Sequence, residues 1–416
     1  MERQQLPRRT LFAASAATLA VAAPAAAQAA TSAAPHVASA GPQQHFGYVC
    51  SYTADAMPGG AGHGEGITLV RLDPQAGRLT AVQTFPGPSP SWICFSAKRD
   101  RAYAVNEIGQ FGGQKQGSVT AFEVDPASGA LRQLNAVASG GTAPVYASVH
   151  PSGRYLLVAN YDSGHIAVLP ILPDGSLGTA TDSVAPQGTL GPTKAAAAPS
   201  GSFAQSGHTA SHAHMVAADP GGRFVLSTDL GLDRTFVWEL DLASGKLHPA
   251  ANSGFPTASA GAGARHFAFH PNGQTLYVIY EEASQIAAYR YDGQTGGVTP
   301  LQTVSTLPEG FAGSSFASAM AISRDGRCLY AGNRLHNSVS VFAIGKDGTL
   351  RLVGNEWTRG DYPNQVALDP TGMLLLASNR RSDQVTVFRV DRATGGLRFS
   401  GQYFAVGSPN MVGFAG

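Results

Sequence analysis

The sequence predicts an all-β chain closed into a seven-bladed β-propeller, and three observations predict it. One pattern recurs six times, at Ser96-AKRDRAYAVNE, His150-PSGRYLLVANYDSGHIAVL, Asp219-PGGRFVLSTDLGLDRTFVWEL, His270-PNGQTLYVIYEEASQIAAYRY, Ser323-RDGRCLYAGNRLHNSVSVFAI and Asp369-PTGMLLLASNRRSDQVTVFRV. Each copy has an apolar run, a Pro/Gly turn, a β-branched or aromatic run, a short polar turn and a third alternating run. A period of roughly 45 to 70 residues with three or four strands per copy is that of propeller blades. A blade cannot bury both faces alone, so its neighbours must stack around an axis.

The second observation is an acidic-glycine turn found seven times, at Asp73-PQAG, Asp125-PASG, Pro173-DG, Asp241-LASG, Asp292-GQTG, Lys346-DG and Asp391-RATG. Seven outer turns against six full copies leave one blade split between the chain ends. Tyr48-VCSYT reads as a second strand with no first strand beside it, and the tail Ser408-PNMVGF matches the first strands Ala264-RHFAF and Pro363-NQVAL. The third observation is therefore the closure: the C-terminal strand completes the N-terminal blade, which removes the open edge.

In chain order, residues 1–29 read as an export signal. Arg8-Arg9-Thr10-Leu11-Phe12 precedes an Ala/Leu/Val run and the small-residue site Ala27-Gln28-Ala29, which resembles a twin-arginine signal. The apolar run from Leu11 to Ala23 is too short to span a bilayer. An exported protein, periplasmic or extracellular, is expected. Residues 30–45 form an Ala/Pro/Ser-rich flexible linker, and residues 46–416 the single propeller domain. Within it Ala54 to Gly66 is a Gly-rich loop. Leu177 to Ser211 is the longest irregular stretch, of the kind that is functional or disordered. Neither loop links a strand to a helix, so neither is a phosphate cradle.

Composition narrows the partners. With 28 basic and 27 acidic residues, neither nucleic acid nor an anionic membrane is the expected partner, and a monomer is expected. Cys50, Cys94 and Cys328 are odd in number and lie in apolar strand patterns, so they read as small apolar residues rather than a disulfide framework.

Candidate site residues emerge by subtracting the repeat. The slot six residues before the turn proline holds Ser91, Val145, His214, Arg265, Ser318, Asn364 and Asn410; the slot ten residues after it holds Tyr52, Glu107, Tyr161, Leu230, Glu281, Arg334 and Arg380. Three consecutive blades thus set His214, Arg265 with Glu281, and Arg334 at one height. Buried charges are costly unless paired or used, so the cluster is a site candidate. A structural alternative is an Arg265–Glu281 salt bridge within one blade, with His214 a satisfied core residue. Other residues read as scaffold. His150, His270, Asp219 and Asp369 are turn caps, and Asn106, Asn160, Asn333 and Asn379 bond from blade to blade. His208, His212 and His214 form H-x3-H-x-H, but no Cys or carboxylate with usable spacing joins them, so no metal is expected. No Gly-x-Ser-x-Gly elbow supports a serine hydrolase.

At these residues the chain resembles the lactonase family of seven-bladed propellers, which includes 6-phosphogluconolactonases and carboxymuconate cyclases. The resemblance runs from Tyr48 to Phe414 and is most specific at Ala143-PVYASVHPSGRYLLVANY, His212-AHMVAADPGGRFVLSTDLGLDR, Gly263-ARHFAFHPNG, Tyr280-EE and Gly332-NR. It implies a catalytic set of His214, Arg265, Glu281 and Arg334, the four that the slots select, and no cofactor. The chain departs from relatives at Ala319, Met320 and Ala321, where Glu-Ile-His is common, and at Asn364, where many carry Arg. The expectation is a metal-independent lactonase acting on an anionic sugar-acid lactone. Arg380, Glu107 and Asn364 would bind the substrate, and Glu281 or His214 would serve as base. A cycloisomerase of unsaturated dicarboxylates, or a non-catalytic exported binding propeller, is the alternative.

Overall fold

The computed structural model describes residues 45–53, 62–205 and 207–415. The export signal and all of the linker except His45 lie outside them, as does much of the first Gly-rich loop. Seven antiparallel sheets of four strands each make up the described chain. Their innermost strands are Pro90–Phe95, Pro144–Val149, Ala213–Ala218, Ala264–Phe269, Phe316–Ile322, Pro363–Leu368 and Pro409–Phe414. The last belongs to the N-terminal blade. It pairs antiparallel with His45–Ser51, from Gly47 opposite Phe414 to Ser51 opposite Pro409. The ring therefore closes without a free inner edge, as the split repeat predicts.

The burial patterns follow from stacking. Second strands such as Tyr155–Asn160, Thr275–Tyr280 and Leu374–Asn379 are buried at every residue, because a blade covers each face. Their sequences are continuous apolar runs for that reason. Outer strands such as Arg78–Pro86 are largely exposed and carry the polar residues. The core is not one mass. It divides into seven apolar clusters, each bridging two neighbouring blades; Tyr277 and Ile279, for example, pack on Leu329 and Phe342 of the next blade.

The acidic-glycine turns lock these interfaces. Asp125 and Asp391 accept backbone N–H groups of their own turns, and each turn offers a carbonyl to the blade before it. Tyr48 donates to Gly129 O, Tyr103 to Gly175 O, Tyr277 to Gly348 O and Tyr330 to Gly395 O, at 2.7–3.1 Å. His150 and His270 cap their turns, and each ring also contacts a carbonyl of the next blade, Gly222 O and Gly326 O. Asn160 and Asn333 bond across blades, to Ser139 O and Thr306 O. Asn106 and Asn379 do not follow that expectation. They donate to Ser118 and Thr120, and to Thr386, inside their own blades, where a hydroxyl on the third strand is within reach.

The stretch from Leu177 to Ser211 is only partly irregular. Asp182–Val184 forms the short outer strand of its blade. Beyond it the chain crosses three further blades, tied by Gly191 N to Gly231 O, Ala196 N to Ala260 O and Phe203 N to Ser314 Oγ. It returns at His208, whose buried ring lies 3.3 Å from Asp233 and 3.7 Å from Glu282.

Candidate active site

Every innermost strand carries a β-bulge at the same place. Ser91, Val145, His214, Arg265, Asn364 and Asn410 are each the residue skipped in the pairing with the second strand, and Ser318 with Ala319 is skipped in the remaining blade. These are the seven residues of the first slot. A bulge bends the strand and re-aims side chains, so the ring of bulges turns one residue per blade toward the axis. The approach to the fifth blade needs a glycine. Gly263 has φ +76° and a Cβ there would lie 1.7 Å from Glu282 Oε2; its carbonyl accepts from Glu281 N at 2.8 Å.

The bulges surround a cavity of about 390 Å³ lined by His214, Arg265, Glu281, Arg334, Arg380, Glu107 and Asn364, all seven candidates from the sequence. Leu230 is buried away from it. Ser318 turns its hydroxyl to the Pro363 carbonyl of the following blade, which is a scaffold task, while the Ser91 hydroxyl is shared between Pro144 O and Glu107.

One side of the cavity is organised around Glu281. Its Oε2 receives Arg265 Nε at 2.8 Å and Arg334 Nη2 at 2.6 Å, with all three side chains less than a tenth exposed. Arg265 also donates to Ser318 O and Arg334 to Ala317 O, so both guanidiniums are fixed from two sides. Arg334 lies over the Phe316 and Tyr362 rings. Burial, then the Arg334 charge, lowers Arg265 to about 10. Burial also works against the Arg334 charge, but Glu281, Tyr362 and Glu282 together outweigh it and raise that pKa. Both remain cationic at neutral pH.

His214 faces this pair from the fourth blade. Its ring meets Tyr161 and His266 edge-on, at centroid distances of 5.5 and 5.0 Å, and its buried Nδ1 has no hydrogen-bond partner. It is therefore not a satisfied core histidine. Burial, then the Arg265 charge, holds it well below the usual imidazole range, so the ring is neutral. The H-x3-H-x-H triplet splits three ways. His208 joins Asp233 and Glu282, His212 stacks on Tyr161 at 4.4 Å, and His214 faces the cavity. Among the described residues no cluster of three metal-ligating side chains forms.

The other side holds Tyr52, Glu107 and Arg380. Tyr52 donates to Glu107 Oε2 at 2.7 Å, and the Arg380 guanidinium lies 4.2 Å from the centre of the Tyr52 ring. Asn364 donates to Asn410, which donates to Ser91 O. Burial pushes Glu107 up to about 8, against hydrogen bonds from Tyr52 and Ser91 and the charges of Arg380 and Arg265.

The slots miss His266, Trp92 and Gln365, which also line the cavity. Each directly follows a bulged residue. Strand alternation assigns neighbours to opposite faces, whereas a bulge can bring two consecutive side chains to one side. Trp92, Tyr146 and His266 pack as one aromatic cluster, with Trp92 and Tyr146 at 4.3 Å and His266 edge-on to both.

Comparisons with known proteins agree with this architecture. The family model described as lactonase, 7-bladed beta-propeller, matches residues 46–414. The chain is 30% identical over 373 residues to the 6-phosphogluconolactonase of Bacillus subtilis, covering 89% of this chain and 98% of that protein. A solved structure of a periplasmic gluconolactonase from Pseudomonas aeruginosa is 31% identical with a TM-score of 0.79, covering 89% of this chain and 99% of that one. A Lactobacillus plantarum protein of solved structure is also 31% identical, with a TM-score of 0.77 over 89% of this chain and 99% of that one. With a match that spans nearly the whole propeller, the chain belongs to the lactonase family of seven-bladed β-propellers.

Proposed function

We propose that the protein hydrolyses an anionic sugar-acid lactone without a metal ion. The observation that carries this reading is a neutral imidazole with an unpartnered nitrogen, set beside two guanidiniums that share one carboxylate oxygen. Lactone opening needs a base for water and a home for the oxyanion. Glu281 is a poor base here, because two cations engage its oxygen. His214 holds an unpartnered nitrogen and takes the role instead, as a neutral base that burial and the Arg265 charge weaken. It takes a proton from water as the water oxygen attacks the carbonyl carbon. Arg265 and Arg334, fixed in place by Glu281, receive the oxyanion.

Charge supports an anionic substrate. Arg265, Arg334 and Arg380 line the cavity together with Glu281, Asp162 and a Glu107 whose carboxyl burial raises to about 8, and guanidinium groups on both of its sides favour an anionic substrate. Its volume suits a single sugar unit. Arg380 and Asn364 are placed to take the substrate's acidic group. A dication would have to sit beside two guanidiniums that already hold Glu281, which is electrostatically unfavourable. The similarity to a periplasmic gluconolactonase and the Arg8-Arg9 segment together support an exported enzyme, with residues 1–29 as signal, 30–45 as linker and 46–416 as the working domain.

The purified protein, treated with a chelator, is tested on glucono-δ-lactone, its 6-phospho derivative and a neutral alkyl lactone. Acid release that persists in chelator and favours the phosphorylated or carboxylated lactone is expected. Equal rates on neutral and anionic lactones would remove the substrate assignment; loss of activity in chelator would remove metal independence.

A further inference from the structure

We propose that Glu107 is the proton donor to the ring oxygen that leaves when the lactone opens. This rests on the hydrolase reading and adds a general acid to it. When the tetrahedral intermediate collapses, the bond between the carbonyl carbon and the ring oxygen breaks, and an alkoxide is a poor leaving group unless protonated. A site with a base and no acid does half of the reaction.

Glu107 is placed for the other half. It directly follows the second strand of its blade, Arg101–Asn106, as Glu281 follows Thr275–Tyr280. The two blades are three apart in a ring of seven, so the carboxyls line the cavity from nearly opposite walls. Their surroundings differ in kind. Glu281 Oε2 takes two guanidiniums. Among the described residues Glu107 makes no ion pair; it accepts from the Tyr52 hydroxyl at 2.7 Å and is 3% exposed. The Arg380 guanidinium of the seventh blade lies over the Tyr52 ring. The groups facing Glu107 are Tyr52 from the first blade, Ser91 from its own, Arg380 from the seventh and Arg265 from the fifth. Burial outweighs all of them, and the carboxyl is held up to about 8.

A pair of carboxyls whose environments push their protonation apart is a common division of labour. Here His214 removes a proton from water and Glu107 delivers its own to the ring oxygen. The products are the open hydroxy acid, an imidazolium and a Glu107 carboxylate. Proton return through solvent from His214 to Glu107 restores both. Because the donor must be protonated, turnover falls as pH rises through about 8.

The test compares wild type with Glu107→Gln, which keeps an acceptor for Tyr52. The expected result is a kcat about 10²-fold lower with KM little changed, and loss of the basic limb from the pH profile. A residue that only supports the fold would scale the profile without reshaping it. Infrared titration of the resting protein supplies a readout independent of turnover. A protonated-carboxyl band should titrate near pH 8 and be missing from Glu107→Gln. An unchanged profile shape in an active variant, or an ionised Glu107 at pH 7, overturns the donor role and leaves the hydrolase reading standing. A wild type inactive on every lactone overturns the hydrolase reading, and the donor role falls with it.

Discussion

Arg265 and Arg334 both reach Glu281 Oε2, and that sharing sets the role of all three. A carboxylate engaged by two cations is a structural centre rather than a base. Removing one partner of a buried ion pair costs about 3–5 kcal/mol, because the remaining charge is left uncompensated. Glu281→Gln is therefore expected to lower the melting temperature as well as turnover, since both guanidiniums lose their anchor. Arg334→Ala is expected to lower kcat/KM by about 10²–10³-fold and to raise KM, since an oxyanion donor and a binding cation go together. Steady-state kinetics and thermal melts on the two variants separate these effects. If Glu281→Gln keeps the wild-type melt and loses only kcat, Glu281 is a proton-transfer group and the assignment of His214 as base fails.

At the scale of the element, the decisive strand is Pro409–Phe414. Its Met411 and Val412 are buried, in the clusters that join the N-terminal blade to the second and seventh blades. Gln365 bonds to both the Val412 N–H and carbonyl, and Ile93 N contacts Met411 Sδ. Each apolar side chain contributes about 1.5–3 kcal/mol on burial, and the strand also covers the backbone of His45–Ser51. Deleting the chain from Ser408 onward should abolish the cooperative melt and expose a pairing edge that aggregates. Light scattering and calorimetry on the truncated protein check this; a native-like melt would show that the ring does not depend on its closing strand.

The whole molecule is almost neutral, with 28 basic and 27 acidic residues, while the cavity gathers three arginines. Three guanidiniums gathered in one cavity suit a small anion more than a polyanion. No disulfide ties the fold; Cys50, Cys94 and Cys328 are free. Burial lifts the Cys94 thiol to about 12 and raises Cys50 and Cys328 as well. A fold completed by Pro409–Phe414 can form only once that strand is made, which is compatible with the proposed export in the folded state. Replacing Arg8 and Arg9 with Lys is accordingly expected to retain the precursor in the cytosol, by fractionation and immunoblot. Unchanged export of that variant would point to an unfolded route.

Blade number, ring closure and seven of the residues that line the cavity were legible in the sequence, because each is written in a repeat. An inter-blade core imposes continuous apolar runs, and a turn needs its glycine wherever it falls. Departure from such a repeat marks His214, Arg265, Glu281 and Arg334 without any knowledge of distance. What only tertiary structure decided is how those residues meet. No spacing tells that Arg334, one blade on, reaches the same oxygen as Arg265, that His214 Nδ1 lacks a partner, or that Glu107 is buried with the Tyr52 hydroxyl on its carboxyl. His266 and Trp92 were hidden for a related reason. The bulge that turns them to the axis is a break in strand register, and register belongs to a pair of strands rather than to either sequence alone.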